Sequence, residues 1–278
     1  MILTCQDSNL IYLQSSLLTK NGSVQHAFST RLGGISGGKC SSLNMAFYTE
    51  DRLDNVIENR RRFFKNFHID HKKIVALNQV HGTKIVEAES DNCGEGALPG
   101  STLQDADALI TARPGLTLCA YSADCLLIYY AAIDAPLVAI AHAGRQGTLD
   151  GMAEKVVEQI KACYGINPAR LLTFLAPSIC KNCYTVDSFL AEEFISEGWG
   201  ASAYIEPFED ELWKLDLAAI NRAQLIKAGL DKENIDQSSL CTSCRDDLFF
   251  SYRRERGKTG RMIGFISMAA GQGEKMLE

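Results

Sequence analysis

The chain has 278 residues, 46% of them hydrophobic and 22% charged, with a net charge of −6 and an isoelectric point near 5.5. That composition can bury a full core, while the acidic balance argues against general nucleic-acid binding and no apolar run approaches the ~18 residues of a membrane span. Met1-Ile2-Leu3-Thr4-Cys5-Gln6-Asp7 lacks the basic start and apolar stretch of a secretory signal, so the ten cysteines are expected as reduced thiols in the cytoplasm.

The first predicted element is a helix over residues 51–67. Leu53, Val56, Ile57, Arg60, Phe64 and Phe67 recur at spacings of three and four, and Asp51 is placed to cap it. Strands are expected at 73–77 and 84–87, then a surface loop over 91–102 carrying Gly94, Gly96, Pro99 and Gly100. Four further strands follow at 108–111, 117–120, 126–130 and 137–141, the last almost continuously apolar and so buried on both faces. A helix over 152–164 ends at Gly165 and Pro168. Beyond it come a strand at 171–175, helices at 188–196 and 217–228, and a strand at 262–266. Asp216 caps the last helix and Gly229 stops it. This alternation is an α/β signature. With no repeat, low-complexity tract or Pro-rich linker, residues 1–278 are expected as one domain.

Three short segments carry chemistry: Asn78-Gln79-Val80-His81-Gly82, Ser122-Ala123-Asp124-Cys125-Leu126 and Ala141-His142-Ala143-Gly144. Each sets one zinc-ligand type at the edge of an apolar run. A His₂Cys set leaves a fourth position open, as zinc sites that do chemistry usually do. Spacing alone does not establish convergence, since 44 positions separate His81 from Cys125 and 17 separate Cys125 from His142. Taken singly, each histidine also reads as an ordinary satisfied polar residue, and Cys125 as a small buried hydrophobe. His142 has the stronger placement, because strand ends in α/β folds tend to hold sites.

Cys180-Lys181-Asn182-Cys183 and Cys241-Thr242-Ser243-Cys244 are separated by 57 residues, far beyond the roughly 15–20 of compact zinc ribbons. They are expected as two unrelated thiol pairs that share no metal. Residues 31–39, Arg31-Leu32-Gly33-Gly34-Ile35-Ser36-Gly37-Gly38-Lys39, could form an anion nest, or could be a plain flexible loop. Arg60-Arg61-Arg62 and Arg253-Arg254 are further basic clusters, which usually mark solvated faces.

Together these segments resemble the YfiH-like family, historically called laccase-domain or polyphenol oxidase proteins. The similarity runs through residues 26–36, Ser42-Leu43-Asn44, Asn59-Arg60, Gln79-Val80-His81-Gly82, Asp105-Ala106-Asp107-Ala108, Ala123-Asp124-Cys125, Ala141-His142-Ala143-Gly144 and Ser251-Tyr252-Arg253-Arg254. The resemblance implies an α/β fold of layered mixed sheets flanked by helices, in α/β/β/α order. It implies zinc on His81, Cys125 and His142. It also implies phosphorolysis of adenosine, inosine, guanosine and methylthioadenosine, with adenosine deamination as a second reaction. The expected partners are purine nucleosides and phosphate, not nucleic acid or membrane. Two departures stand out. The family commonly reads His-Ala-Gly-Trp-Arg-Gly where this chain has His142-Ala143-Gly144-Arg145-Gln146-Gly147, and it often has Pro soon after the Asp-Cys pair, where Leu126-Leu127-Ile128 follows here.

For this chemistry Asp124 is the nearest carboxylate to shuttle protons. Arg31, Arg60 or Arg253 could position phosphate, and Asn44 could hydrogen-bond the substrate. Copper oxidase chemistry is disfavoured, because five histidines with no His-x-His pair are too few for a multicopper centre. A metal-free thiol hydrolase would use Cys125 as nucleophile with His81 or His142 as base. A nucleotide or cell-wall-precursor binder without turnover is the third alternative.

Overall fold

The computed structural model describes residues 2–7, 10–101 and 104–269. Strands β1 (Ile2–Asp7) and β2 (Leu10–Ser15) lead into helix α1 (Ser16–Asn21) and strand β3 (Val24–Ser29). A long loop reaches α2 (Leu53–Lys65), followed by β4 (Ile74–Ala76) and β5 (Ile85–Glu87). Next come β6 (Ala108–Thr111), β7 (Thr117–Ser122), β8 (Leu126–Ala132) and β9 (Val138–Ala143). Helices α3 (Arg145–Leu149) and α4 (Met152–Tyr164) precede β10 (Leu171–Leu175) and β11 (Thr185–Asp187). The chain continues through α5 (Ser188–Ser196), β12 (Ile205–Pro207), β13 (Leu212–Leu215), α6 (Leu217–Lys227), β14 (Ile235–Gln237) and β15 (Met262–Met268).

Strand alternation builds the layers. In β8, Leu127, Tyr129 and Ala131 enter one apolar cluster, while Leu126, Ile128, Tyr130 and Ala132 enter another. Both faces are buried, which is why the run lacks the polar alternation of a half-exposed strand. The first sheet has the order β1-β2-β3-β15-β7-β4 and the second β14-β10-β8-β9-β6-β5. Leu13, Phe28 and Leu118 of the first meet Leu127, Tyr129 and Ile140 of the second in the central core. Behind the first sheet, Phe63 and Phe64 of α2 and the following Phe67 pack on Phe265. Behind the second, Met152, Val156 and Ile160 of α4 and Leu225 of α6 cover Ile128 and Tyr130. The expected α/β/β/α layering is therefore present. A third, small sheet, β11-β13-β12, packs with α5 on one flank.

The sheets approach closely where Gly264 of β15 faces Tyr129 of β8. A Cβ at Gly264 would lie 2.2 Å from the Tyr129 hydroxyl, which itself donates to the Ala27 carbonyl of the first sheet at 3.0 Å. Only glycine leaves room there. The chain passes between these two sheets at β4–β5, β6–β7, β7–β8 and β14–β15. Two of these passages carry residues singled out in the sequence: residues 77–84 between β4 and β5, and residues 123–125 between β7 and β8.

Most long elements match their expected bounds, and α4 and α5 do so residue for residue. Helix α2 begins later than expected. Arg52 occupies the cap position without a side-chain bond, while Asp51 accepts from the Arg52 N–H at 2.8 Å and from Ser36 and Asn44 side chains. The 91–102 segment is a series of turns that buries Ala97, and Thr102 lies outside the described residues. The expectation of two unrelated Cys-x-x-Cys pairs is corrected. Parallel pairing of β10 with β14 brings the loops beyond them together, and the two motifs meet.

Candidate metal centre

Residues 78–82 form a turn pinned along residues 104–107. The Asn78 N–H donates to the Gln104 carbonyl at 3.0 Å, and the Asn78 side chain donates to Asp105 at 2.7 Å. Gln79 acts as an extra strand partner for β7. Its amide donates to the Tyr121 carbonyl at 2.9 Å and its oxygen accepts the Tyr121 N–H at 2.7 Å. His81 then takes a left-handed conformation with φ 62°, a region that costs a side-chain-bearing residue roughly 1–3 kcal/mol. Asp107 holds it there. Its carboxylate accepts the N–H groups of Val80, His81 and Gly82 at 3.2, 3.0 and 2.7 Å.

The same carboxylate accepts from Nδ1 of His142 at 2.8 Å. Burial would push the Asp107 carboxyl up, yet His142 and the backbone N–H groups hold it below the usual carboxylate range. Because an ionised carboxylate only accepts, Nδ1 carries a proton, and Nε2 is the atom that a metal would take in exchange for its proton. His142 lies at the end of β9, on the face shared with Val138 and Ile140, and is buried. Cys125 closes the turn between β7 and β8. Burial alone would raise its thiol, but His142 and His81 outweigh burial and bring it down to about 6. Burial in turn would lower His142, but Cys125 and Asp107 raise it to about 9.

The ligand atoms of His81, Cys125 and His142 all lie within 4.8 Å of one another. Donors bound about 2.0–2.3 Å from a common tetrahedral ion sit roughly 3.3–3.8 Å apart, so modest side-chain adjustment satisfies an ion. Gly144 leaves the space for this convergence. A Cβ there would meet Cys125 Sγ at 3.0 Å, His81 Cδ2 at 3.2 Å and His142 Cε1 at 3.6 Å. The group could hold a metal: two imidazoles and one thiolate suit zinc, with a carboxylate orienting one imidazole from behind. His142 is buried and His81 exposed, so the open side faces outward into a cavity.

That cavity has a volume of about 670 Å³ and is lined by the three ligands, Tyr48, Tyr121, Tyr184, Tyr252, Gln79, Asp124, Arg145, Arg253 and Arg261, among others. Of the basic residues singled out in the sequence, Arg253 alone reaches it. Arg31 stands elsewhere, donating to Ser41 and Asp246 carbonyls and paired with Glu255 at 3.2 Å. Arg60 is fully buried, donates to the Gly96 carbonyl at 2.9 Å and stacks 4.6 Å from Phe47. Asn44 is buried too. Its amide donates to Ala46, Thr49 and Asp51, and its oxygen accepts from Ala46 and Arg261 N–H groups. None of the three lines this cavity: Arg31 and Asn44 are engaged within the protein, while Arg60 is buried with its Nε and Nη1 lacking a hydrogen-bond partner among the described residues. In the Gly-rich loop the Gly34, Ile35 and Ser36 N–H groups are taken up internally, by Ser42 Oγ, Asn59 Oδ1 and the Ser42 carbonyl.

Asp124 lines the cavity with φ 94°. Its carboxylate accepts from Thr242 Oγ1 at 2.7 Å, Ser251 Oγ at 3.0 Å and the Arg253 N–H at 2.7 Å. That leaves it bracing the loops around Cys125. Sequence reasoning missed Asp107, the four tyrosines and Arg261. Asp107 was within reach, since it falls in a quoted motif just before β6. Arg145, noted only as a departure, starts α3 beside the ligands, and among the described residues no carboxylate pairs with it.

A family model described as multi-copper polyphenol oxidoreductase laccase matches residues 25–269. Purine nucleoside phosphorylase YlmD of Geobacillus stearothermophilus is 36% identical over 247 residues, covering 86% of this chain and 88% of that protein. A purine nucleoside phosphorylase of Deinococcus radiodurans is 35% identical over 261 residues, covering 93% and 94%. The crystal structure of the hypothetical protein YfiH of Bacillus licheniformis superposes with a TM-score of 0.89 at 32% identity, covering 95% of this chain and 98% of that one. With matching fold, near full-length coverage and a described His₂Cys cluster, the chain belongs to the YfiH-like laccase-domain family.

Proposed function

We propose that this chain is a zinc-dependent purine nucleoside phosphorylase, acting on adenosine, inosine, guanosine and methylthioadenosine as one domain, with adenosine deamination as a second activity. One observation carries the reading: the His₂Cys cluster opens into a cavity that combines aromatic and cationic walls. The relatives named purine nucleoside phosphorylase support it. When bound at His81, Cys125 and His142, zinc supplies Lewis acidity and a lowered pKa for water. Tyr48, Tyr121, Tyr184 and Tyr252 offer faces for a purine. Arg145, Arg253 and Arg261 replace Arg31 and Arg60 as the groups that hold phosphate near the ribose. Arg253 is steadied over the Tyr184 ring at 5.0 Å and Arg261 between Tyr48 and Tyr252.

A second reading draws on the Cys125–His142 pair, whose low thiol and raised imidazole suit a metal-free thiol nucleophile. Elemental analysis with a product screen separates the two. Zinc-loaded protein should convert adenosine and phosphate to adenine and ribose 1-phosphate, and yield some inosine without phosphate. Arg145→Ala should impair phosphorolysis more than deamination, since only phosphorolysis needs the anion. A zinc-free Cys125→Ala protein that kept either activity would overturn the metal-centred reading for that reaction. Metal-free wild type with full activity would favour the thiol nucleophile.

A further inference from the structure

We infer that Cys180, Cys183, Cys241 and Cys244 form a second, structural metal site that takes zinc, separate from the His₂Cys cluster. Their four sulfurs lie within 4.8 Å of one another, with Cys183 Sγ 3.4 Å and Cys180 Sγ 4.0 Å from Cys244 Sγ. Four thiolates bound about 2.3 Å from a tetrahedral zinc sit roughly 3.8 Å apart. The two separations to Cys244 straddle that value and the rest do not exceed 4.8 Å, so side-chain adjustment without backbone rearrangement can close the four on an ion.

The backbone around the sulfurs is built for the task. In the first turn the Cys183 N–H donates to the Cys180 carbonyl at 3.0 Å, and in the second the Arg245 N–H donates to the Cys241 carbonyl at 3.1 Å. Cys241 Sγ accepts two backbone N–H groups, from Cys180 at 3.2 Å and Cys244 at 3.4 Å. Such bonds favour the ionised sulfur that binds metal. The turns are laid side by side by the Ser178–Cys241 bridge and by the Thr242 N–H on the Ser178 carbonyl at 3.1 Å. An all-sulfur set selects a soft or borderline ion, and four protein ligands leave no open position, so the role is structural.

The site has a purpose in the architecture. The first turn follows Ile179, whose N–H donates to the Asp124 carbonyl at 2.9 Å. The second holds Thr242, whose hydroxyl donates to the Asp124 carboxylate at 2.7 Å. An ion joining the turns would therefore fix two of the supports of the residue next to Cys125. Arg254 closes the arrangement, donating to the Thr242 and Ser243 carbonyls at 2.8 and 2.9 Å.

Metal analysis of full-length protein purified under reducing conditions tests the proposal. Wild type should hold about two zinc per chain, and both Cys125→Ala and the Cys183→Ser/Cys244→Ser double variant about one each. Should the double variant fail to fold, cobalt loading of Cys125→Ala replaces it, and the intense visible and charge-transfer bands of a tetrathiolate should appear. A wild type with one zinc that disappears in Cys125→Ala, without those cobalt bands, overturns the proposal. So does an intact mass under the same conditions that reveals a disulfide among these cysteines. Loss of the His₂Cys zinc alone would instead count against the proposed function and leave the tetrathiolate site standing.

Discussion

Replacing Gly144 with alanine isolates the steric condition for metal binding. The residue sits at φ −74° and ψ −167° and makes no side-chain cap bond to α3, so alanine introduces no left-handed strain and removes no capping contact. What it adds is one methyl group at 3.0 Å from Cys125 Sγ and 3.2 Å from His81 Cδ2. Comfortable contacts between heavy atoms lie at about 3.5–4.0 Å, so the sulfur has to retreat by roughly half an ångström. Metal sites tolerate only about 0.2 Å of ligand displacement. Without metal, the side chains can rotate away, so most of the strain falls on the bound state. Overpacking of this size costs about 1–3 kcal/mol, which at ~1.4 kcal/mol per decade weakens zinc binding roughly ten- to hundredfold. Competition against a chromophoric chelator at neutral pH measures the effect, with thermal melting of metal-free protein as control. Wild-type zinc affinity in Gly144→Ala, with the metal-free melting point also unchanged, would refute the steric reasoning.

Asp107→Asn should leave the fold intact while lowering zinc affinity about 10–100-fold, since an amide cannot accept all four bonds the carboxylate takes from His142 and residues 80–82; the same chelator competition reads it, and an unaltered affinity would rule out the orienting role. His26 is buried, and burial, opposed by Asp236, brings its imidazole down to about 4 while Nε2 accepts the Ser15 N–H at 2.9 Å. The unfolded chain takes up this proton near pH 6.5 and the folded one only near pH 4, so stability is lost as pH falls through that window. Between pH 7 and pH 5 the loss from this group is about 2 kcal/mol. Urea unfolding of wild type and His26→Gln should differ in pH slope by that amount, and equal slopes would remove His26 as the cause.

Long elements were legible because their burial is written into spacing. The helix over 152–164 buries Met152, Val156 and Ile160 on one face and is closed by Gly165 in the left-handed conformation. Short strands such as β11 and β14, three residues each, carry no periodicity to read. They form because partners far along the chain pair with them. Among site residues, His81, Cys125 and His142 were visible as residue types at strand edges, but their meeting depends on chain crossings between sheets that no local pattern encodes. Arg31, Arg60 and Asn44 lie outside the cavity that holds the cluster. A charge or amide can serve a ligand or a buried carbonyl equally well, and only the surroundings decide. The Cys-x-x-Cys spacing misled, because two parallel strands bring distant loops to one sheet end.

The two crossings that carry His81 and Cys125 have a mechanical consequence. His81 rides on one crossing, Cys125 on the other, and His142 on the second sheet alone. An ion gripping all three works as a rivet at the rim of a two-leaf sandwich, and any sliding of one leaf over the other is felt as strain in its grip. The Gly264–Tyr129 contact sets how closely the leaves lie, so a methyl group placed there would prise them apart and loosen the rivet from a distance. With a metal bound as proposed, its occupancy would be a gauge of how the sheets are seated, and substitutions deep in the core would loosen the site without touching His81, Cys125 or His142.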